Sequence, residues 1–159
     1  MRRQGLIAAL VSVLTASLIA AETEKAEKKA EETPLHEHET LVKMLEENNR
    51  LRSGVGLPPQ ELSPELTKAA QDHAWYMART GHFSHHANGG PMARAARHGF
   101  ERPVAENIAM GHHTIGDVFG GWRASGGHWA NMTGREELAG FGYGISPNGE
   151  RYWVAVYGH

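Results

Sequence analysis

The chain has 159 residues, no cysteine and a formal net charge of −2 at pH 7. This length allows one ordinary domain, and without cysteine that domain must be held together by packing and not by disulfides. From residue 41 onward, eleven Lys and Arg balance eleven Asp and Glu. The sequence therefore offers no basic cluster of the kind that binds nucleic acid or an anionic membrane.

The first 40 residues are predicted to lie outside the folded domain. Arg2 and Arg3 precede an apolar run that ends in small residues at 20–21, so residues 1–21 are predicted to be a signal peptide. The run is about 15 residues long and a membrane span needs roughly 20, which makes an uncleaved anchor the alternative. Residues 22–40 carry seven Glu and three Lys, which predicts a charged flexible spacer. We expect a secreted protein or one of the periplasm or cell envelope, with membrane contact only through an uncleaved signal.

Three helices are predicted at the start of the domain, which spans residues 41–159. Apolar residues recur at helical spacing over 41–51, which predicts a helix that stops before Gly54. The sequence Ser-Pro-Glu at 63–65 is typical of a helix start, and the helix that follows, with His73 on its predicted buried face, is predicted to close at Gly81. A third, short helix is predicted over 91–98.

The rest of the domain combines strands with one further helix. Residues 104–110 are predicted to be extended, and a capping box at 114–117 predicts a helix that breaks at 126–127. The chain ends in a predicted β-hairpin, with strands over 138–146 and 151–157. Three glycines on one face of its first strand predict close approach of a helix or of the other strand. This order of elements predicts an α+β fold, one sheet with helices covering it.

Polar residues stand in apolar or glycine-rich surroundings in three stretches, at 83–85, 105–108 and 122–128. Glu106 has apolar neighbours, so it is predicted to be at least partly buried, and a buried carboxylate needs a partner such as histidine. Two histidines and a glutamate can hold a zinc ion or act as an acid–base set. The alternative, which the spacing alone favours, is a structural hydrogen bond between Glu106 and a histidine.

These stretches resemble the CAP superfamily (SCP domain), the fold of cysteine-rich secretory proteins, insect antigen 5 and plant pathogenesis-related proteins, and in particular its compact bacterial members. The resemblance covers residues 41–158. It implies an α-β-α sandwich with a central three- or four-stranded antiparallel sheet flanked by helices. The matching residues are Leu66, Ala69, Ala70, Gln71 and Ala74, then 83–85, 105–109, Trp122, Ser125, His128 and Asn131, and finally 142–144 with Tyr152 and Trp153.

The resemblance also implies a cleft with two histidines and two acids, a set that binds zinc in some members. By position, the histidines correspond to His85 and His128 and the first acid to Glu106, while the second acid is replaced by Ser125. This replacement argues against paired-carboxylate chemistry and leaves a weak Zn²⁺ site of two imidazoles. Glu106 is expected to orient an imidazole, unless it or His86 adds a bond to the metal. Asn107 is the remaining cleft candidate.

The function implied is that of a secreted, non-catalytic binding module whose His/Glu-lined cleft takes a divalent metal and an unknown ligand, either a lipid or sterol or a cell-envelope component. The alternative is a metal-dependent hydrolase, a peptidase or a cell-wall enzyme, with Glu106 as the base. A third possibility is a structural envelope protein with an inert cleft.

Three further features lie outside the cleft. Trp75 and Tyr76 lie on or beside the buried face of the second predicted helix, so both are predicted to pack. The sequence His-Glu-His-Glu at 36–39 looks like a metal-binding sequence but falls in the predicted spacer. Residues 131–133 match a glycosylation sequon, which matters only in a host that glycosylates its exported proteins.

Overall fold

The computed structural model describes residues 35–159; the predicted signal peptide and most of the predicted spacer lie outside the described residues. A 3₁₀ turn over Leu35–Glu37 leads into helix α1 (Glu39–Ser53), so regular structure reaches into the last residues of the predicted spacer. This early start of regular structure is explained by the side chain of Leu35, which packs against the core. A single apolar residue among charged ones gives no periodic signal in the sequence.

The remaining elements follow the predicted order. Ser63 caps the second helix by accepting a hydrogen bond from the Leu66 amide at 3.2 Å, and Gly81 ends it in a left-handed conformation with φ of 69°. The predicted break near residue 126 occurs at Ser125 instead, and Gly126 already begins the next helix. The elements are β1 (Glu61–Leu62), α2 (Pro64–Thr80), α3 (Gly90–Arg97), β2 (Val104–Met110), α4 (Ile115–Ala124), α5 (Gly126–Met132), β3 (Leu138–Ile145) and β4 (Arg151–Gly158).

The four strands form one sheet in the order β1-β3-β4-β2. The three long strands pair antiparallel with one another, β3 with β4 and β4 with β2, as predicted. The short strand β1 instead pairs parallel to β3, through Glu61 with Leu138 and Leu62 with Ala139. A strand of two residues shows no alternation, which is why the sequence did not predict it. Because β1 pairs with two residues of β3 only, no strand within residues 35–159 borders the rest of that sheet edge.

Helices cover both faces of the sheet, which confirms the predicted α-β-α sandwich. On one face, α1, α4 and α5 pack on the sheet around Trp122, Phe141 and Tyr157. On the other face, α2 and α3 pack around Leu66, Met77 and Val154. No helix within residues 35–159 combines the length and the apolar composition that crossing a membrane requires.

Glycines bring α2 into direct contact with β3. A Cβ atom added at Gly140 would lie 2.1 Å from the carbonyl carbon of Leu66, and one added at Gly142 would lie 2.4 Å from that of Ala70. These distances are shorter than any real Cβ contact, so a side chain would push the helix off the sheet. Of the two partners that the sequence allowed for the glycine face, the structure therefore selects the helix.

Candidate functional site

Glu106 lies in the middle of β2 with its side chain only 2% exposed. Its Oε1 atom is 2.9 Å from Nδ1 of His85, and its Oε2 atom accepts a hydrogen bond from Nη2 of Arg94. The predicted burial of this carboxylate is confirmed, and so is its contact with a histidine. Arg94 is a second partner, which the sequence analysis did not identify.

Arg94 joins this carboxylate to the loop that carries His85. Its Nη1 atom donates to the carbonyl oxygens of Ala87 at 2.5 Å and His85 at 3.2 Å, while its Nη2 atom binds Glu106. Its side chain is 1% exposed, so these contacts lie in a low-dielectric interior where each hydrogen bond is strengthened. Arg94 thus fixes both the carboxylate and the loop. The sequence pointed to Arg94 only indirectly, because a buried glutamate calls for a cationic partner as well as an imidazole.

The hydrogen bond with Glu106 also sets the tautomer of the His85 ring. A carboxylate can only accept a hydrogen bond, so Nδ1 of His85 carries the proton and Nε2 keeps its lone pair. The side chain of His85 is 43% exposed, in contrast to its buried partner. An imidazole held in this way is suited to bind a metal ion through Nε2.

Side chains from α4 and α5 cover the outer edge of β2. The indole nitrogen of Trp122 donates to the carbonyl of Ile108 at 3.2 Å, and the Asn131 amide donates to the carbonyl of Glu106 at 3.2 Å. Edge strands leave such carbonyls without a strand partner, and here the two helices supply the donors. This attachment places α5, and with it the second predicted histidine, beside β2.

His128 lies on α5 and is partly buried. Asn107 anchors it by donating to its carbonyl oxygen at 3.0 Å, and the Asn107 side-chain oxygen accepts a hydrogen bond from Asn131 at 2.9 Å. Burial lowers the pKa of His128, and repulsion between this imidazole and the nearby His85 imidazole when both are protonated lowers it further. The ring of His128 is therefore neutral at pH 7, the state in which an imidazole binds metals.

The side chains of the two remaining cleft candidates make no hydrogen bond at the site to any residue that the structure describes. Ser125 stands at the junction of α4 and α5, partly exposed, and its side chain makes no capping hydrogen bond. His86 is exposed, and its hydrogen bond to Ser84 involves only its backbone nitrogen. Within residues 35–159, no group of three or more His, Cys, Asp or Glu is arranged to hold a metal ion. The predicted donor set is therefore limited to the two imidazoles of His85 and His128, and metal binding stays a prediction.

His73, on α2, is a buried histidine that the sequence analysis assigned to packing. It is fully buried, and neither ring nitrogen has a hydrogen-bond partner. Burial lowers its pKa to about 4, although the negative charge of nearby Glu106 opposes that effect. His73 is thus a neutral group behind the pair of Glu106 and His85. The periodicity of α2 predicted its burial but not its neighbours.

Two sequence motifs have other roles. The side chain of His38, in the sequence at 36–39, caps α1 by accepting a hydrogen bond from the Thr40 amide. Asn131 uses its amide nitrogen in two hydrogen bonds, and a glycan attached there would replace one of the two N–H donors.

Comparison with known proteins gave one family and several related folds. A family model described as CAP, the cysteine-rich secretory protein family, matches residues 45–157. Among solved structures, an outer surface protein from Borrelia burgdorferi has 20% identity and a TM-score of 0.68, covering 74% of this chain and 90% of that chain. No curated protein sequence matches.

Two further solved structures are longer proteins. An extracellular protein containing an SCP domain from Bacillus anthracis has 23% identity and a TM-score of 0.65, covering 74% of this chain and 39% of that chain. A cysteine-rich secretory protein from Staphylococcus aureus has 20% identity and a TM-score of 0.58, covering 74% of this chain and 38% of that chain. At these identities the three structures establish the fold alone.

Proposed function

The chain belongs to the cysteine-rich secretory protein (CAP) family, and from that premise we propose that it is a non-catalytic binding module whose cleft takes a divalent cation such as Zn²⁺ on His85 and His128. One observation carries the proposal: Glu106 accepts a hydrogen bond from Nδ1 of His85. The Nε2 lone pair of this partly exposed imidazole is therefore left for a metal. Two protein ligands make a weaker site than the three usual for catalytic zinc, so we expect exchangeable binding.

The geometry around Glu106 supports binding over hydrolysis. A hydrolase of the alternative kind needs a base that takes a proton from a bound water. Both oxygens of Glu106 already accept hydrogen bonds, one from His85 and one from Arg94. The position that would carry a second acid by family resemblance is Ser125. Ser125 supplies no carboxylate, and the Glu106 side chain is 2% exposed, so little of it is accessible to a bound water.

The proposed ligand beyond the metal is a lipid or sterol or a cell-envelope component, and the proposed location is outside the cytoplasm. The location is supported by the N-terminal sequence pattern and by similar folds in proteins described as extracellular or outer surface. Those descriptions concern the other proteins, so the location of this chain is tested by following its export and the cleavage of its first 21 or so residues.

Titration calorimetry with Zn²⁺ on protein without a histidine tag tests the metal site. We expect His85→Ala and His128→Ala each to weaken binding tenfold or more, and Glu106→Gln to weaken it about 10- to 100-fold by releasing the His85 ring. His113→Ala is the matched control, because His113 is exposed and outside the cleft. Equal binding by the wild type and all three cleft variants would refute the metal site.

A separate assay decides between the binding module and the hydrolase. The Zn²⁺-loaded protein is incubated with a panel of peptides and cell-wall fragments, with Glu106→Gln alongside. We expect no cleavage. Metal-dependent cleavage that disappears in Glu106→Gln would overturn the non-catalytic proposal in favour of the hydrolase.

A further inference from the structure

We propose that a small pocket at the opposite edge of the sheet from the His85 cleft binds one neutral sugar ring of a polysaccharide or glycan. The pocket has a volume of about 230 Å³ and opens between the start of α1, the outer side of α2 and β3. Its wall includes His38, Thr40, Gln71, Trp75 and Tyr143. It lies on the β3 side of the sheet, whereas Glu106 lies on the other edge strand, β2, so this inference does not depend on the metal proposal.

The pocket lies along the edge of β3 where, in the described part of the chain, no strand pairs beyond the two residues joined to β1. The side chain of Gln71 takes the place of a strand there: its Nε2 donates to the carbonyl of Tyr143 at 2.7 Å, and the Tyr143 amide donates to its Oε1 at 3.1 Å. These two hydrogen bonds fix the orientation of the Gln71 side-chain amide. They also argue against a peptide strand as the ligand, because the backbone groups that such a strand needs are already bonded.

Three side chains in the wall present hydrogen-bonding groups of the kind that hydroxyls need. Gln71 is 4% exposed, and its amide keeps a second N–H and a second lone pair beyond the bonds to Tyr143. His38 accepts a hydrogen bond from the Thr40 amide at Nδ1, at 3.3 Å, so its neutral ring carries the proton on Nε2 as a donor. The hydroxyl of Thr40 both donates and accepts. Donors and acceptors are thus mixed within one small volume.

Trp75 supplies the aromatic surface. The prediction that this residue packs in the core is wrong: it is 47% exposed, because it projects from α2 past the sheet edge to the pocket wall. Tyr143 also lines the pocket, and its ring packs against the ring of Trp153, with 4.3 Å between the ring centroids. An aromatic face is electron-rich and attracts weakly positive C–H groups, which a pyranose ring presents on its flat side.

Charge and size exclude other ligand classes. Among the described residues, those that line the pocket include no Asp, Glu, Lys or Arg, so an anionic group such as phosphate or carboxylate would find no counter-charge there. The volume is below the roughly 300–1,000 Å³ of sites that enclose drug-sized ligands, which makes a sterol or an acyl chain too large. A neutral, hydroxyl-rich ring combines the required size, lack of charge and mixed polarity.

The test titrates the full chain with β-linked oligosaccharides of glucose and, separately, of N-acetylglucosamine, and follows the indole N–H signals by NMR. We expect saturable shifts at millimolar concentrations in at least one series, and the series that binds identifies the sugar class. Trp75→Ala should weaken binding at least tenfold and Thr40→Val two- to fivefold.

Phe83→Ala is the matched control, since Phe83 is an exposed ring, 40% accessible, that does not line the pocket. Its binding should equal that of the wild type. The proposal is overturned if neither series gives a saturable shift, or if Trp75→Ala binds as well as Phe83→Ala.

Discussion

Replacing Arg94 with methionine removes a buried cation from its carboxylate partner while keeping an unbranched side chain that fills similar space. The side chains of Arg94 and Glu106 are 1% and 2% exposed, so the variant leaves a charge in the interior with His85 as its one remaining side-chain partner. Breaking a buried pair from one side costs about 3–5 kcal/mol. The carbonyls of Ala87 and His85 lose a donor as well, at roughly 1 kcal/mol each where water does not replace it.

We therefore expect Arg94→Met to lower the free energy of unfolding by about 5 kcal/mol, a large part of the roughly 5–15 kcal/mol typical of a domain. Urea unfolding at pH 7, followed by circular dichroism, measures this difference. The double variant Arg94→Met/Glu106→Met should recover most of the loss, because it removes the stranded charge.

The matched control is Arg97→Met, three residues further along the same helix. Arg97 pairs with Asp72 at 2.9 Å, but the two side chains are 45% and 32% exposed, so its loss should cost about 1 kcal/mol or less. The explanation by charge burial is refuted if Arg94→Met and Arg97→Met differ by less than about 1 kcal/mol, or if the double variant is no more stable than Arg94→Met.

Three other changes probe the fold. Gly142→Ala should destabilise by at least about 1–3 kcal/mol in urea unfolding, because its Cβ would lie 2.4 Å from the backbone of Ala70; Gly120→Ala, in the open, should cost nothing. His73 takes up a proton near pH 6.5 when the protein is unfolded but only near pH 4 when it is folded. Its contribution to the free energy of unfolding is therefore complete above pH 6.5 and falls by up to about 3 kcal/mol as the pH drops to 4. The unfolding free energy of His73→Leu, measured at both pH values, should lack that part of the acid sensitivity. Trp122→Phe should cost about 1–3 kcal/mol by leaving the Ile108 carbonyl without its donor, and an unchanged melting temperature would contradict this.

The sequence by itself determined the local elements, because their signals lie within a few residues of each other. Ser63 and Gly81 mark the two ends of α2, and the capping box at Thr114 starts α4. The segment at 104–110 and the final hairpin follow from alternation and turn residues. The apolar neighbours of Glu106 predicted its burial, and the family motifs predicted which histidines lie near it.

Only the tertiary structure decided the partners. Arg94 reaches Glu106 across 12 positions of the chain, and Gln71 reaches Tyr143 across 72, and neither spacing leaves a periodic trace. The exposure of Trp75 also depends on packing, because no strand within residues 35–159 pairs with that edge of β3 beyond its first two residues, and the sequence around Trp75 carries no signal of this. Local propensity and apolar periodicity fix which segments are helix or strand, whereas the partner of a buried charge or an exposed ring depends on how those segments pack.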